Sequence, residues 1–225
     1  MIIAELGLNA YPFTPEHLRE MCNAARQSGA DAVKVQFFRA EHFPASERAL
    51  KSIYEFPAPV FAEFASIAHE YSLLAGASIF EPRHVIGAAN CGIDFIKIAA
   101  REWQNDALIR ACEALDWMTV YQSWPIEFRH QAVKPRALEW YLMLCISQYP
   151  TPIRNAMNRA YAITPPFKGW SSHTAYISDC IEAVEHGAIV VEKHLALSKN
   201  DPEAAWSLLP PAFEFMCHEI KALNE

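Results

Sequence analysis

Charges inside apolar runs are the most chemically suggestive feature of this sequence. Lys34 interrupts DAVKVQFF, Lys97 interrupts DFIKIAA and Glu192 interrupts AIVVEKHL. A charge carried into a hydrophobic layer costs several kcal/mol unless it is paired or faces a ligand. Lys34 and Glu192 could therefore be interior ion pairs that hold a fold together, or the lysines could bind a small anion. A third use, a Schiff-base nucleophile, needs a lysine of depressed pKa. Two histidines add to the set: His173 in WSSHT and His194 in EKHL. Either alone reads equally well as a satisfied core histidine; as a pair they suit a shared divalent metal ion.

These residues sit in a repeating frame. Strand-like runs recur at Ile2 to Leu8, Asp31 to Phe38, Leu73 to Phe80, Asp94 to Ala100, Trp117 to Ser123, Trp140 to Ser147, Gly169 to Thr174 and Ala188 to Leu195. Helical segments alternate with them. The first is opened by Thr14-Pro15-Glu16 and closed by Gly29, and others cover Ala58 to Tyr71, Pro82 to Asn90, Asn105 to Leu115, Pro152 to Tyr161, Tyr176 to His186 and Pro211 to Leu223. Only the one near Pro125 to Gln131 looks stunted, and Glu41 to Pro59, with three prolines, reads as a long loop or lid. Eight strands each followed by a helix predict an α/β fold of the (β/α)8 TIM-barrel type, one domain over residues 1–225.

In such a barrel the active site lies at the C-terminal ends of the strands, and alternation selects the side chains that point inward together. The candidates are Glu5 and Asn9, Lys34 and Gln36, Ser147 and Tyr149, Ser171 and His173, and Glu192 and His194, each pair sharing a parity, and Lys97 with Glu102 beyond it.

Composition excludes other classes. With 19 basic and 26 acidic residues in 225, the net charge is −7, which argues against a surface that grips nucleic acid. No apolar run reaches bilayer-spanning length, so no membrane span is expected. Six widely spaced cysteines without a CxxC pair read as buried thiols, and Met1 leads into IIAELGL without a signal peptide, so a cytoplasmic protein is expected.

Seven blocks, in order AELGLN, GADAVKVQ, FIKIAAREWQN, CISQYPTP, WSSHT, EKH and SLLP, resemble the sialic acid synthase family along nearly the whole chain. The resemblance implies a metal-dependent synthase that condenses phosphoenolpyruvate with an N-acylated aldose to a nonulosonate and phosphate. It implies that Lys34, Lys97, Ser147 and Ser171 bind phosphoenolpyruvate and that His173 and His194 hold manganese or magnesium. It also implies that Gln36, Glu102, Tyr149 and Glu203 contact the sugar, Glu203 standing in place of the family's aspartate, and that Glu102 helps deliver water. Glu5 and Asn9 join the substrate-binding set, and Lys34 and Lys97 join Glu102 as catalytic residues. The family normally carries a C-terminal antifreeze-like domain and is dimeric. No such domain is read from this sequence, so a homodimer and a separately encoded domain are the partners the resemblance suggests. Four positions depart from the family pattern: Ala100 stands for serine, Ser172 for aspartate and Ala10 for histidine, and LMLC lacks the histidine usual before Cys145. Ala100, Ser172 and the missing domain support an alternative, a barrel that binds a carbohydrate or phosphometabolite without turnover.

Overall fold

In a computed structural model, which describes residues 1–133 and 139–223, the chain closes eight parallel strands into a barrel in sequence order. The strands are β1 (Ile2–Glu5), β2 (Ala32–Phe37), β3 (Leu74–Ile79), β4 (Phe95–Ile98), β5 (Thr119–Pro125), β6 (Trp140–Cys145), β7 (Phe167–Ser172) and β8 (Val190–His194). Around them lie α1 (Pro15–Gln27), α2 (Ala45–Lys51), α3 (Ala58–Glu70), α4 (Pro82–Asn90), α5 (Asp106–Glu113), α6 (Ile153–Ala160), α7 (Ser178–Glu185) and α8 (Pro210–Ala222). The single (β/α)8 barrel expected from the alternation is the fold observed.

Local chemistry explains the helices. The Thr14 hydroxyl caps α1 by accepting from the His17 amide (3.2 Å), Pro15 occupies its first turn, and Leu18, Met21, Cys22 and Ala25 form its buried stripe. Gly29 ends it at φ +87°, a conformation that leaves glycine the natural choice. Between β5 and β6 the described residues hold a 3-10 turn (Ile126–Gln131) and no full helix, as the stunted pattern there suggested.

The segment from Glu41 to Pro59 corrects the expectation of a plain loop. It holds α2 between two 3-10 turns. Its prolines mark helix starts instead of breaking helices: Pro44 precedes α2 and Pro57 precedes α3. Because α2 buries none of its residues, it carries no amphipathic stripe to betray it. All six cysteines are free thiols, five of them buried. Among the described residues no helix is long and apolar enough to cross a membrane.

The barrel interior is layered. At the closed end Ile3, Ala32, Phe95, Tyr121, Met143 and Val190 form a plug. Gly76 makes the plug possible, since a Cβ there would lie 2.1 Å from the Phe95 ring. Two residues further along the strands the same inward face carries Glu5, Lys34, Ser78, Lys97, Ser123, Ser171 and Glu192, all buried. Register brings them together: Glu5 lies beside Lys34, Ser78 beside Lys97 and Ser171 beside Glu192.

Candidate active site

Above this charged layer a cavity of about 480 Å³ opens at the C-terminal ends of the strands. Glu5, Lys34, Gln36, Lys97, Ser147, Tyr149, Ser171, His173, His194 and Glu203 line it, together with Glu192. Eleven of the thirteen candidate residues thus converge from six strands and the loops after them.

The lysines are paired. Lys34 Nζ contacts the Glu5 carboxylate, donates to the Ser78 hydroxyl (2.6 Å) and lies 3.9 Å from Glu192. Lys97 Nζ donates to Glu192 and to the Ser171 hydroxyl (3.1 Å), which itself donates to Glu192 (3.1 Å). Both readings of these residues are therefore realised together: they are interior ion pairs, and they face the cavity. An ammonium has three hydrogens. Each lysine uses two on these partners and keeps one for a ligand. Burial alone would push the Glu192 carboxyl up, but Lys34 and Lys97 overcome it and hold it at about 2. Burial acts the same way on Glu5 and prevails there, raising its carboxyl against the pull of Lys34 and with the help of nearby Glu192. For Lys97, burial and the Lys34 charge outweigh the pull of Glu192 and lower the ammonium.

The two histidines present matching donors. His173 Nδ1 donates to the Ile146 carbonyl (2.9 Å) and His194 Nδ1 donates to the Glu203 carboxylate (3.1 Å). A carbonyl and a carboxylate only accept, so Nδ1 carries the hydrogen in each ring, and in the neutral imidazole the lone pair then lies on Nε2. This outer hydrogen bond is the one that metal-ligating histidines make. The ring centroids are 5.6 Å apart, and burial with the neighbouring His194 holds His173 well below the usual histidine range, hence neutral. The residues fit a divalent cation. Charge balance points the same way: two lysines already matched by two glutamates leave no net positive charge for a polyanion.

Two candidates stand outside the cavity lining. Asn9 is buried and fully engaged: Nδ2 donates to the Leu195 carbonyl (2.9 Å) and the Ser207 hydroxyl (3.0 Å), and Oδ1 accepts from the Glu203 amide (2.7 Å). It braces the loop that carries Glu203. Glu102 closes the 3-10 turn after β4, where Asn105 Nδ2 (2.8 Å) and Arg101 Nε (3.2 Å) donate to it. That turn carries its carboxylate away from the lining. Of the departures from the family pattern, Ala100 does line the cavity. Ser172 faces the opposite way, where its hydroxyl accepts from Lys193 (2.8 Å).

The lining also includes residues that sequence reasoning missed. Ser78 and Ser123 share the inward parity of β3 and β5 and were findable by alternation. Phe43, Glu47 and Lys51, from the α2 segment, and Trp206, after β8, reach the mouth through loops whose course no periodicity reports.

A profile of the NeuB family matches residues 21–225. The chain is 25% identical over 257 residues to the N,N'-diacetyllegionaminic acid synthase of Campylobacter jejuni, spanning all of this chain and 76% of that protein. It is 26% identical over 238 residues to the synthase of the same name from Legionella pneumophila, spanning 89% of this chain and 65% of that one. In fold it is similar to the N-acetylneuraminic acid synthetase of Leptospira borgpetersenii (TM-score 0.89, 24% identity, 99% of this chain and 83% of the other).

Proposed function

This chain belongs to the NeuB family, whose members are phosphoenolpyruvate-dependent condensing enzymes, and on that premise we propose that it joins phosphoenolpyruvate to an N-acylated aldose. The products are a nonulosonate-type 3-deoxy-2-keto acid and phosphate. The observation that carries the reading is one cavity faced both by two lysines with a hydrogen each to give and by two histidines with Nε2 free.

Phosphoenolpyruvate lies low in the cavity. Its anionic groups accept from Lys34 and Lys97 and from the hydroxyls of Ser78 and Ser147, with that of Ser171 joining them once it turns from Glu192, charge-assisted bonds in a water-poor site. Gln36, Tyr149 and Glu203 line the same cavity and offer the aldose polar contacts, while the Tyr149 ring packs 4.1 Å from that of His173 and limits where the sugar sits. Manganese or magnesium, held by His173 and His194, would polarise the acceptor aldehyde as a Lewis acid. The enol carbon C3 attacks that aldehyde carbon, water adds at C2, and the C2–O bond to phosphate breaks. Glu5 is the carboxyl best suited to take the proton from water: it lines the cavity, burial raises it, and one of its oxygens accepts no hydrogen bond among the described residues.

The test is phosphate release from phosphoenolpyruvate over a panel of N-acylated hexosamines. Release that requires both substrates and a divalent metal, and stops with chelator, is expected. A second reading is favoured by one observation, the methyl of Ala100 in the cavity wall: a barrel that binds the same ligands without turnover. Tight phosphoenolpyruvate binding with no phosphate released across the panel would select it.

A further inference from the structure

The alternation that turns Glu192 and His194 into the barrel turns Lys193 out of it, toward the helices. Lys193 is nevertheless completely buried. All three hydrogens of its ammonium are placed: Nζ donates to the Ser172 hydroxyl (2.8 Å), the Thr174 hydroxyl (3.0 Å) and the Thr174 carbonyl. The Thr174 hydroxyl donates in turn to one oxygen of Asp179 (2.9 Å), and the other accepts from the Trp170 indole (2.9 Å). Among the described residues no carboxylate is within ion-pair distance of Lys193. Asp179, in the first turn of α7, is its counter-charge at one remove.

The placement matters because of what lies on the other side. His173 is the residue between Ser172 and Thr174, the two that Lys193 grips, and His194 follows Lys193 directly. One ammonium therefore ties the end of β7 to β8 immediately behind both imidazoles. We infer that Lys193, with Asp179 as its counter-charge, is a positioning residue that sets the spacing of the two histidine donors for a divalent cation. The inference rests on the two-histidine reading of the site. It predicts that a carboxylate on residue 172, whose side-chain oxygen already lies 2.8 Å from Nζ, can take over from Asp179.

Manganese titrated into the full chain by calorimetry tests it, with metal-free phosphoenolpyruvate as the control ligand. Asp179→Asn should weaken manganese binding about tenfold or more, the usual consequence of losing an outer-shell partner. Ser172→Asp on that background should restore it to within about threefold of the parent chain. Phosphoenolpyruvate affinity should stay unchanged throughout, because Lys34 and Lys97 face the other side of the sheet. Manganese affinity unmoved by Asp179→Asn, or no recovery in the double variant, overturns the inference. Manganese and phosphoenolpyruvate affinities falling together also overturn it, since that is general loosening. If Asp179→Asn fails to fold, Ser172→Ala decides: a loss of manganese affinity supports the assignment and an unchanged affinity ends it. A parent chain that binds phosphoenolpyruvate but no manganese would defeat the two-histidine reading, and this inference with it.

Discussion

The two ends of the barrel interior are built from the same strands, yet two residues of travel change hydrocarbon into charge. Ile3, Phe95 and Val190 sit in the plug; Glu5, Lys97 and Glu192 follow them on the same inward face. The plug is dry packing, with Phe95 seated over Gly76 and edge-on to Tyr121 at 5.2 Å. In the charged layer two ion pairs are taken from water, and one oxygen each of Glu5 and Glu192 accepts no hydrogen bond from the described residues. Buried ion pairs contribute little net stability, and well-packed apolar side chains of similar volume often do better. The difference teaches that the lower layer holds the barrel shut, while the upper one carries buried charge at a cost in stability, as a layer that serves a charged ligand would.

Substitutions can separate the two layers. The largest effect expected is on binding: Lys97→Ala should abolish phosphoenolpyruvate binding and His194→Ala should abolish metal retention, both read by calorimetry. Full metal occupancy in the histidine variant would sink the two-histidine site. Next in size, Lys97→Met leaves Glu192 short of its nearest cation and should destabilise the fold by about 3–5 kcal/mol. Adding Glu192→Met to it should recover most of that loss in urea unfolding while leaving the protein inactive. Recovery of stability together with activity would erase the distinction between the layers. In the plug, Phe95→Ala should cost roughly 3–5 kcal/mol with phosphoenolpyruvate affinity intact. A parallel loss of affinity would mean that the layers are mechanically coupled.

Acid offers a milder probe. The Glu192 carboxyl is held at about 2 against an ordinary 4.5, so its ionised form is favoured by the fold. The stability it contributes is present above about pH 4.5 and lost as pH falls toward about 2, on the order of 3 kcal/mol in all. Glu5, whose carboxyl is raised, works in the opposite sense, its neutral form being favoured as the pH falls. Unfolding midpoints of the parent chain and Glu192→Gln between pH 6 and 3 should converge as the pH drops. Parallel curves would contradict the assigned ionisation. Smallest of all, the exposed Arg83–Glu41 pair (2.8 Å) belongs to neither layer, and Arg83→Ala should change stability by less than about 1 kcal/mol.

Much of this was legible in the sequence because it depends on alternation. Apolar runs located all eight strands, and parity alone put Lys34, Lys97, Ser171, His173, Glu192 and His194 into one interior. Pairing across strands depends on register, which a single sequence does not display, so Glu5 as the partner of Lys34 emerged only from the fold. Motif matching placed Asn9 and Glu102 with the substrate-binding residues. The turns that bear them engage Asn9 in bracing the Glu203 loop and direct Glu102 away from the cavity. Helix α2 was hidden because an exposed helix between prolines has no periodic stripe, and with it went Glu47 and Lys51 at the cavity mouth. Lys193 was passed over for the converse reason: its outward parity suggests a solvated lysine, and only the packing of α7 reveals a buried one.

The most direct test of a charged layer kept for ligand is calorimetric titration of phosphoenolpyruvate into metal-stripped protein, with and without added manganese. Dissociation constants in the tens of micromolar or tighter, roughly 6 kcal/mol or more, are predicted, tightening when manganese supplies the positive charge that the balanced lysine and glutamate pairs lack. No binding under either condition would contradict it and leave Glu5, Lys34, Lys97 and Glu192 as a structural network alone.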